Sequence, residues 1–255
     1  MVHFVGAGPG APDLITVRGQ KLLGEADVII YAGSLVNPQL LSLAKEGCAV
    51  YNSAVMTLEE VTAVMAQGEK ENKTTVRLHT GDPSIYGAIR EQIDWLEQQG
   101  IPFDVTPGVS SFCGGAAALS HLGGAEYTLP EVSQTVIITR MAGRTPVPQE
   151  ESIEKLAAHK ASMVVFLSSG MIPELSRRLM AGGYSGSTPA AIVYKATWPE
   201  EKTIVGTVEQ LPALAAEHNI TKTALIMVGD YLGGIYERSK LYDPNFTTEY
   251  RQAAK

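Results

Sequence analysis

The sequence predicts two α/β domains in tandem, the first built around a mainly parallel sheet. Three observations carry this. Short apolar runs alternate with helical stretches through the first 120 residues, as βα repeats require. Glycine-rich segments follow several of the predicted strands. After His121-Leu122-Gly123-Gly124 the alternation restarts. Residues 1–120 are assigned to the first domain, 121–134 to a linker and 135–255 to the second, with about five strands in each, a usual domain size.

The elements follow from local pattern. Residues 2–5 form a strand that runs into glycine, and residues 16–26 have helical spacing at Val17, Leu22 and Leu23. Residues 27–31 (DVIIY) are continuously apolar at their centre, the mark of a strand buried on both faces. A short strand at 49–51, a helix at 58–67 and a strand at 74–79 (TTVRLH) come next. A helix at 89–98 is stopped by Gly100 and Pro102, followed by a strand at 103–106 and a small-residue helix at 110–119. In the second half, strands are expected at 135–139, 163–167, 190–194, 203–205 and 224–228. Helices are expected near 173–180 and 209–217, and residues 140–151 read as a polar, proline-containing segment.

The chain has 20 Lys plus Arg against 27 Asp plus Glu, a formal charge of −7. That balance opposes non-specific binding to polyanions, so no nucleic-acid partner is expected. Apolar runs such as 162–167 are too short to span a bilayer, and MVHFVGAGPG has no secretory pattern. The expected location is the cytoplasm, with no membrane partner. Cys48 and Cys113 fit no metal or redox spacing and read as reduced, packed thiols.

Three loops carry the candidate chemistry. In Val5-Gly6-Ala7-Gly8-Pro9-Gly10-Ala11, the residues Gly6, Gly8 and Ala11 fit a dinucleotide-binding fingerprint. Pro9 and Pro12, however, remove amide donors where a pyrophosphate would sit. No acidic residue follows DVIIY, and the next helix begins late. A tight turn and a binding loop both remain open for this segment. Thr80-Gly81-Asp82-Pro83-Ser84-Ile85-Tyr86-Gly87 and Thr106-Pro107-Gly108-Val109-Ser110-Ser111 also follow strands. Each could be a turn, or in the case of Ser110 a helix cap. Together they would converge on the carboxyl rim of a parallel sheet, where small molecules bind. His79 ends a strand at that rim and is read as a packed or capping histidine. No nucleophile elbow, P-loop or metal cluster is present in the sequence.

In order and spacing, VGAGPGAPDLITVRG, ADVIIYAGSLV, GDPSIYG and TPGVSSF resemble the tetrapyrrole (corrin and porphyrin) methyltransferases. The likeness continues through VVFLSSG, Tyr194-Lys195-Ala196-Thr197 and TALIMVG, and so covers nearly the whole chain. YAGSLV, taken with TRMAGRTPVP at 139–148, is similar to the enzymes that methylate carbon 11 of precorrin-4 or cobalt-precorrin-4, with cobalt-precorrin-4 preferred.

The resemblance implies the tetrapyrrole methylase fold, with a mainly parallel N-terminal sheet and a mixed C-terminal sheet, and a homodimer. It also implies a ligand cleft between the two domains holding S-adenosylmethionine (SAM), which leaves as S-adenosylhomocysteine (SAH). By position, Pro9, Thr80, Gly81, Asp82, Ile85, Ser110, Ser111, Ser168 and Ala196 would contact SAM. Ser168 stands where relatives often have Met, and Ala196 where they often have Gly. A substrate rich in carboxylates calls for basic groups near the motifs. Arg90, Arg140, Arg144 and Lys195 are the candidates, with Tyr31 and Ser34 from YAGSLV. No catalytic base and no metal ligand is assigned. Other acceptors on the same fold (another corrin intermediate, uroporphyrinogen III, RNA) and a non-catalytic SAM- or tetrapyrrole-binding protein are the alternatives.

Overall fold

The computed structural model describes residues 1–33 and 35–253. The chain divides into two compact units, Met1–Gly114 with Ala196–Pro199, and Gly115–Lys195 with Glu200–Lys255. The expected linker at 121–134 lies inside the second unit, and four residues after the third strand of that unit belong to the first.

The first unit holds β1 (Val2–Gly6), β2 (Val28–Tyr31), β3 (Ala49–Asn52), β4 (Thr75–His79) and β5 (Phe103–Thr106) in one sheet of order β3-β2-β4-β1-β5. Every pairing is parallel. Both faces are covered, which explains the unbroken apolar run in β2. On one face Val5, Ile29, Val76 and Leu78 pack with Leu23 of α1 (Val17–Glu25). On the other, Val2, Phe4, Val28 and Ile30 pack with Val61 and Met65 of α2 (Leu58–Lys70) and Leu96 of α3 (Arg90–Gln99).

The helix ends follow from sequence. Thr16 caps α1 by accepting from the Gly19 N–H. Thr57 and Glu60 form a reciprocal capping box that starts α2. Gly100, left-handed at φ 65°, stops α3. Helix α4 (Ser111–Ala118) follows β5.

The second unit holds β6 (Val136–Arg140), β7 (Ser162–Phe166), β8 (Pro189–Tyr194), β9 (Lys202–Thr207) and β10 (Ala224–Val228), in the order β6-β7-β10-β8-β9. Only β6–β7 is parallel; β7–β10, β10–β8 and β8–β9 are antiparallel, so this sheet is mixed. One face is buried under α5 (Ile153–Ala157), α6 (Ile172–Gly182) and α7 (Leu211–Glu217) through Ile153, Leu175, Leu179, Leu211 and Ala215. Helix α5 is absent from the sequence reading. Its five residues are too short for helical periodicity to register. Strand β9 runs longer than 203–205 because its register with β8 continues to Lys202 and Thr207.

Strand β4 is polar on one face. Thr75, Arg77 and His79 are all buried there. His79 stacks on Phe4 with ring centroids 6.1 Å apart, and its Nε2 has no hydrogen-bond partner. Burial, together with the neighbouring Arg77 guanidinium, pulls the imidazole down to about 3, so it is neutral over the working range. It is packed, as the sequence reading has it. The unfolded chain takes up this proton near the ordinary histidine value of about 6.5 and the folded chain does not. His79 should therefore destabilise the fold progressively from about pH 6.5 down to about 3, with a slope of up to ~1.4 kcal/mol per pH unit. Urea unfolding of wild type and His79→Phe across that range should show a shallower acid loss in the variant; equal slopes would contradict this.

Candidate functional site

The strand order places the loops after β4, β1 and β5 side by side, and backbone contact stitches them together. The Gly81 N–H donates to Gly8 O at 2.8 Å, and the Gly8 N–H returns to Gly81 O at 3.3 Å. Gly6, Gly81 and Gly108 meet there, and at Gly6 and Gly108 the neighbouring backbone leaves no room for a side chain. A Cβ on Gly108 would lie 2.1 Å from Gly81 O and 2.7 Å from Gly6 Cα, and one on Gly6 would lie 2.5 Å from Gly108 Cα. Gly81 also has φ +60°, which only glycine adopts freely.

Asp82 ties the same loops through its carboxylate. One oxygen accepts the Gly108 N–H at 2.8 Å; the other accepts the Ser84 N–H at 2.8 Å and the Ser84 hydroxyl. Burial works to raise this carboxyl, but the bonds from Ser84 and Gly108 outweigh it and hold it below its ordinary value. Asp82 is therefore an ionised structural clasp. Ser110 is buried beside Gly81 at the start of α4, with Ser111 and Ile85 half-buried on the same two loops. Thr80 donates its hydroxyl to Leu35 O at 3.3 Å. Thr80, Gly81, Asp82, Ile85, Ser110 and Ser111 thus share one rim.

The first loop settles the dinucleotide reading. The Ala7 N–H donates to His79 O, the Gly8 N–H to Gly81 O and the Ala11 N–H to Thr197 Oγ1, while Pro9 and Pro12 have none. Most of the amides a pyrophosphate would need are thus used or missing, which argues that the fingerprint match is a coincidence of glycine spacing. Residues the sequence reading passed over fix the loop. Asn37, buried, donates to Gly10 O at 2.8 Å, and the Trp198 indole N–H donates to Pro9 O at 3.2 Å. The Trp198 ring lies so close to Gly10 that a Cβ there would be 2.2 Å from it. Pro9 is buried next to Gly114 and Thr197, and Ala196 is buried at the head of the same docking segment. Two left-handed residues, Lys195 (φ 48°) and Thr197 (φ 68°), bracket Ala196.

Tyr31 ends β2 half-buried, and Ser53 donates to its carbonyl oxygen at 3.1 Å. Gly33 sits against Asn52, which leaves no space for a Cβ. Ser34 lies outside the described residues. In the second unit Ser168 is fully enclosed; its hydroxyl donates to Phe166 O and accepts the Met141 N–H at 3.0 Å. Its side chain supports the 141–146 loop.

Three of the four basic candidates are held by the protein itself. Arg90 pairs with Asp94 at 2.7 Å and Lys195 with Glu200 at 2.9 Å. Arg140 donates to the carbonyls of Met141, Thr145 and Pro146 at 2.8–3.2 Å. That leaves Arg144, exposed at the tip of the loop that Arg140 organises, with no ion-pair or hydrogen-bond partner among the described residues.

The rim offers no acid–base pair and no activated nucleophile. Asp82 is committed, His79 is neutral and buried, and burial pushes the Cys113 thiol up, away from thiolate. No group of three or more potential metal ligands exists among the described residues. Such a rim can bind and align; it suits chemistry in which a reactant arrives already activated.

A family model, Tetrapyrrole (Corrin/Porphyrin) Methylases, matches residues 1–212. The cobalt-precorrin-4 C(11)-methyltransferase of Methanocaldococcus jannaschii is 52% identical over 255 residues, covering 100% of this chain and 97% of its own. The X-ray structure of a cobalamin biosynthetic enzyme, cobalt precorrin-4 methyltransferase, superposes with a TM-score of 0.86 at 45% identity, over 91% of this chain and 95% of that one. The uroporphyrin-III C-methyl transferase of Thermus thermophilus, solved with S-adenosyl homocysteine, gives a TM-score of 0.71 at 26% identity, over 93% and 95%.

Two substitutions test the rim as a built unit. Gly108→Ala should destabilise the first unit by about 1–3 kcal/mol or more, because overpacked backbone cannot yield as a side chain can. Asp82→Asn should cost about 1–3 kcal/mol, since its amide must face one of three donors that the carboxylate accepted. Denaturant unfolding checks both, and a wild-type midpoint for either would show that the loops are not interlocked as described.

Proposed function

The chain belongs to the tetrapyrrole (corrin/porphyrin) methylase family, and from that premise we propose that it transfers a methyl group from SAM to carbon 11 of cobalt-precorrin-4, in cobalamin biosynthesis. The observation that carries the reading is full-length similarity to an enzyme of that name, at 52% identity with no region left over. The structural likeness to a cobalt precorrin-4 methyltransferase supports the same acceptor over uroporphyrinogen III, whose methyl transferase is matched at lower identity. We further place the protein in the cytoplasm as a homodimer; among the described residues no helix is long and apolar enough to cross a membrane.

The rim fits SAM on its own terms. Gly6 and Gly108 let the three loops close on one another's backbone, which fixes the shape of the rim that a ligand would meet. Thr80, Gly81, Ile85, Ser110 and Ser111, with Pro9 on the first loop and Ala196 on the segment that clasps it, are the residues that would hold it. Asp82 contributes by fixing loop shape. SAM supplies a methyl already activated by its sulfonium and leaves as SAH. What remains for the protein is alignment of acceptor carbon and methyl, which holding reactants in a near-attack geometry provides without a side-chain nucleophile. The absence of a poised base on the rim agrees with that division of labour.

The acceptor carries acetate and propionate carboxylates, and Arg144 is the basic candidate whose donors are uncommitted. Arg140 holds the loop that presents it, and Tyr31 stands at the end of β2.

Calorimetric titration with SAH and mass spectrometry of turnover with cobalt-precorrin-4 and precorrin-4 test the reading. Saturable SAH binding and a one-methyl mass gain, larger for the cobalt substrate, are expected. SAH binding with no mass gain on either substrate would transfer the activity to another acceptor, and no SAH binding would end the proposal. Arg144→Ala should raise the KM for the corrinoid about tenfold or more, the worth of a charge-assisted hydrogen bond, and leave the SAH Kd unchanged. A parallel loss of both would mark Arg144 as structural.

A further inference from the structure

Arg77, at the centre of β4, is only 6% exposed, yet its two hydrogen bonds go to neutral acceptors. Burial draws the guanidinium down to about 10, so it still carries its charge at neutral pH. A buried cation held by neutral groups is costly, which directs attention to what those groups hold in turn. Its Nε donates to Gln92 Oε1 at 3.1 Å, and Gln92, on α3, is itself 5% exposed. The Gln92 Nε2 then donates to Ala88 O at 2.9 Å. An amide side chain can face either way; the Arg77 N–H can be accepted only by its oxygen, so the NH₂ is aimed at Ala88.

Ala88 ends the loop that begins at Gly81. Tyr86 and Ala88 have left-handed backbones at φ 55° and 50°, a conformation that persists only where the surroundings enforce it. Asp82 secures the start of this loop through Ser84 and Gly108; Gln92 secures its end. The second bond of Arg77, Nη1 to Ile30 O at 3.1 Å, reaches the residue before Tyr31 on β2.

We propose that Arg77 and Gln92 are positioning residues for the methyl transfer: together they hold residues 82–88 in the shape that receives SAM and register that loop to the end of β2. This rests on the function proposed above for the identity of the ligand, and on the hydrogen bonds alone for the loop.

Gln92→Glu separates positioning from stability. The carboxylate still accepts from Arg77, now as a buried ion pair, but cannot donate to Ala88 O. In the full-length protein, hydrogen exchange at amides 84–88 should rise roughly tenfold, and SAH affinity should fall roughly tenfold. The thermal midpoint should not drop. Arg77→Lys, which can reach one acceptor but not both in that geometry, should fall between wild type and Gln92→Glu. Unchanged exchange in Gln92→Glu overturns the proposal, as does increased exchange with unchanged SAH affinity. If the wild type binds no SAH, the functional reading fails and the exchange result alone decides this one. If Gln92→Glu does not fold, Gln92→Met, which removes both the acceptor for Arg77 and the donor to Ala88, is read on exchange and SAH affinity alone, against the same outcomes.

Discussion

The site depends on a place where no side chain fits. Gly6, Gly81 and Gly108 bring three backbones to within van der Waals contact at the ends of β1, β4 and β5, and the carboxylate of Asp82 locks the arrangement by bonding the Gly108 amide. The strand order makes this possible, because β1 lies between β4 and β5 and its loop is flanked by both of theirs. A methyl on Gly6 or Gly108 would push the loops apart, and one on Gly81 would strain its left-handed backbone. The loops therefore behave as one body, and the preorganisation that alignment-driven chemistry needs is built into main chain rather than into movable side chains.

The strands, most helices and the parallel first sheet are legible in the sequence because they rest on local signals, whereas the antiparallel pairings that make the second sheet mixed join strands far apart in sequence. Continuous apolar runs mark strands, and Gly100 with Pro102 marks a helix end. Helix α5 escapes because five residues carry no period. The three rim loops are also legible, since glycine, proline and aspartate cluster where strands stop. What is hidden is who holds whom. Trp198 is nearly two hundred residues from Pro9, and Asn37 bonds Gly10 across an intervening helix and strand. No local pattern encodes such pairings. Arg77 is a similar case: nothing in TTVRLH tells that helices α2 and α3 cover its face of β4 and bury it.

The first loop shows how a motif's meaning depends on its hydrogen bonds. G-x-G-x-x-A describes spacing that several structures can use. In a dinucleotide site the amides after the second glycine are free to receive phosphate. Here Ala11 gives its amide to Thr197, and Pro9 gives its carbonyl to Trp198, so the loop is filled by another part of the same chain. The glycines serve close packing, with Gly10 making room for an indole and Gly6 for a neighbouring loop. The same letters therefore describe a loop with most of its amides already spent or absent.

A net charge of −7 is not at odds with a polycarboxylate substrate, once the cations are followed to their partners. Surface ion pairs absorb Arg90 and Lys195, which lowers their value as anion donors because a carboxylate ligand would first have to displace Asp94 or Glu200. Arg140 bonds three carbonyls and cannot turn away without unfolding the loop it organises. Its contribution is therefore indirect: it shortens the conformational range of residues 141–146 and so presents Arg144 at lower entropic cost than a free loop would. Recognition of a large anionic acceptor then requires few cations, provided that each is preorganised. Selectivity would lie in where the carboxylates fall relative to Arg144 rather than in overall charge, and an acidic protein surface would discourage polyanions with a different spacing.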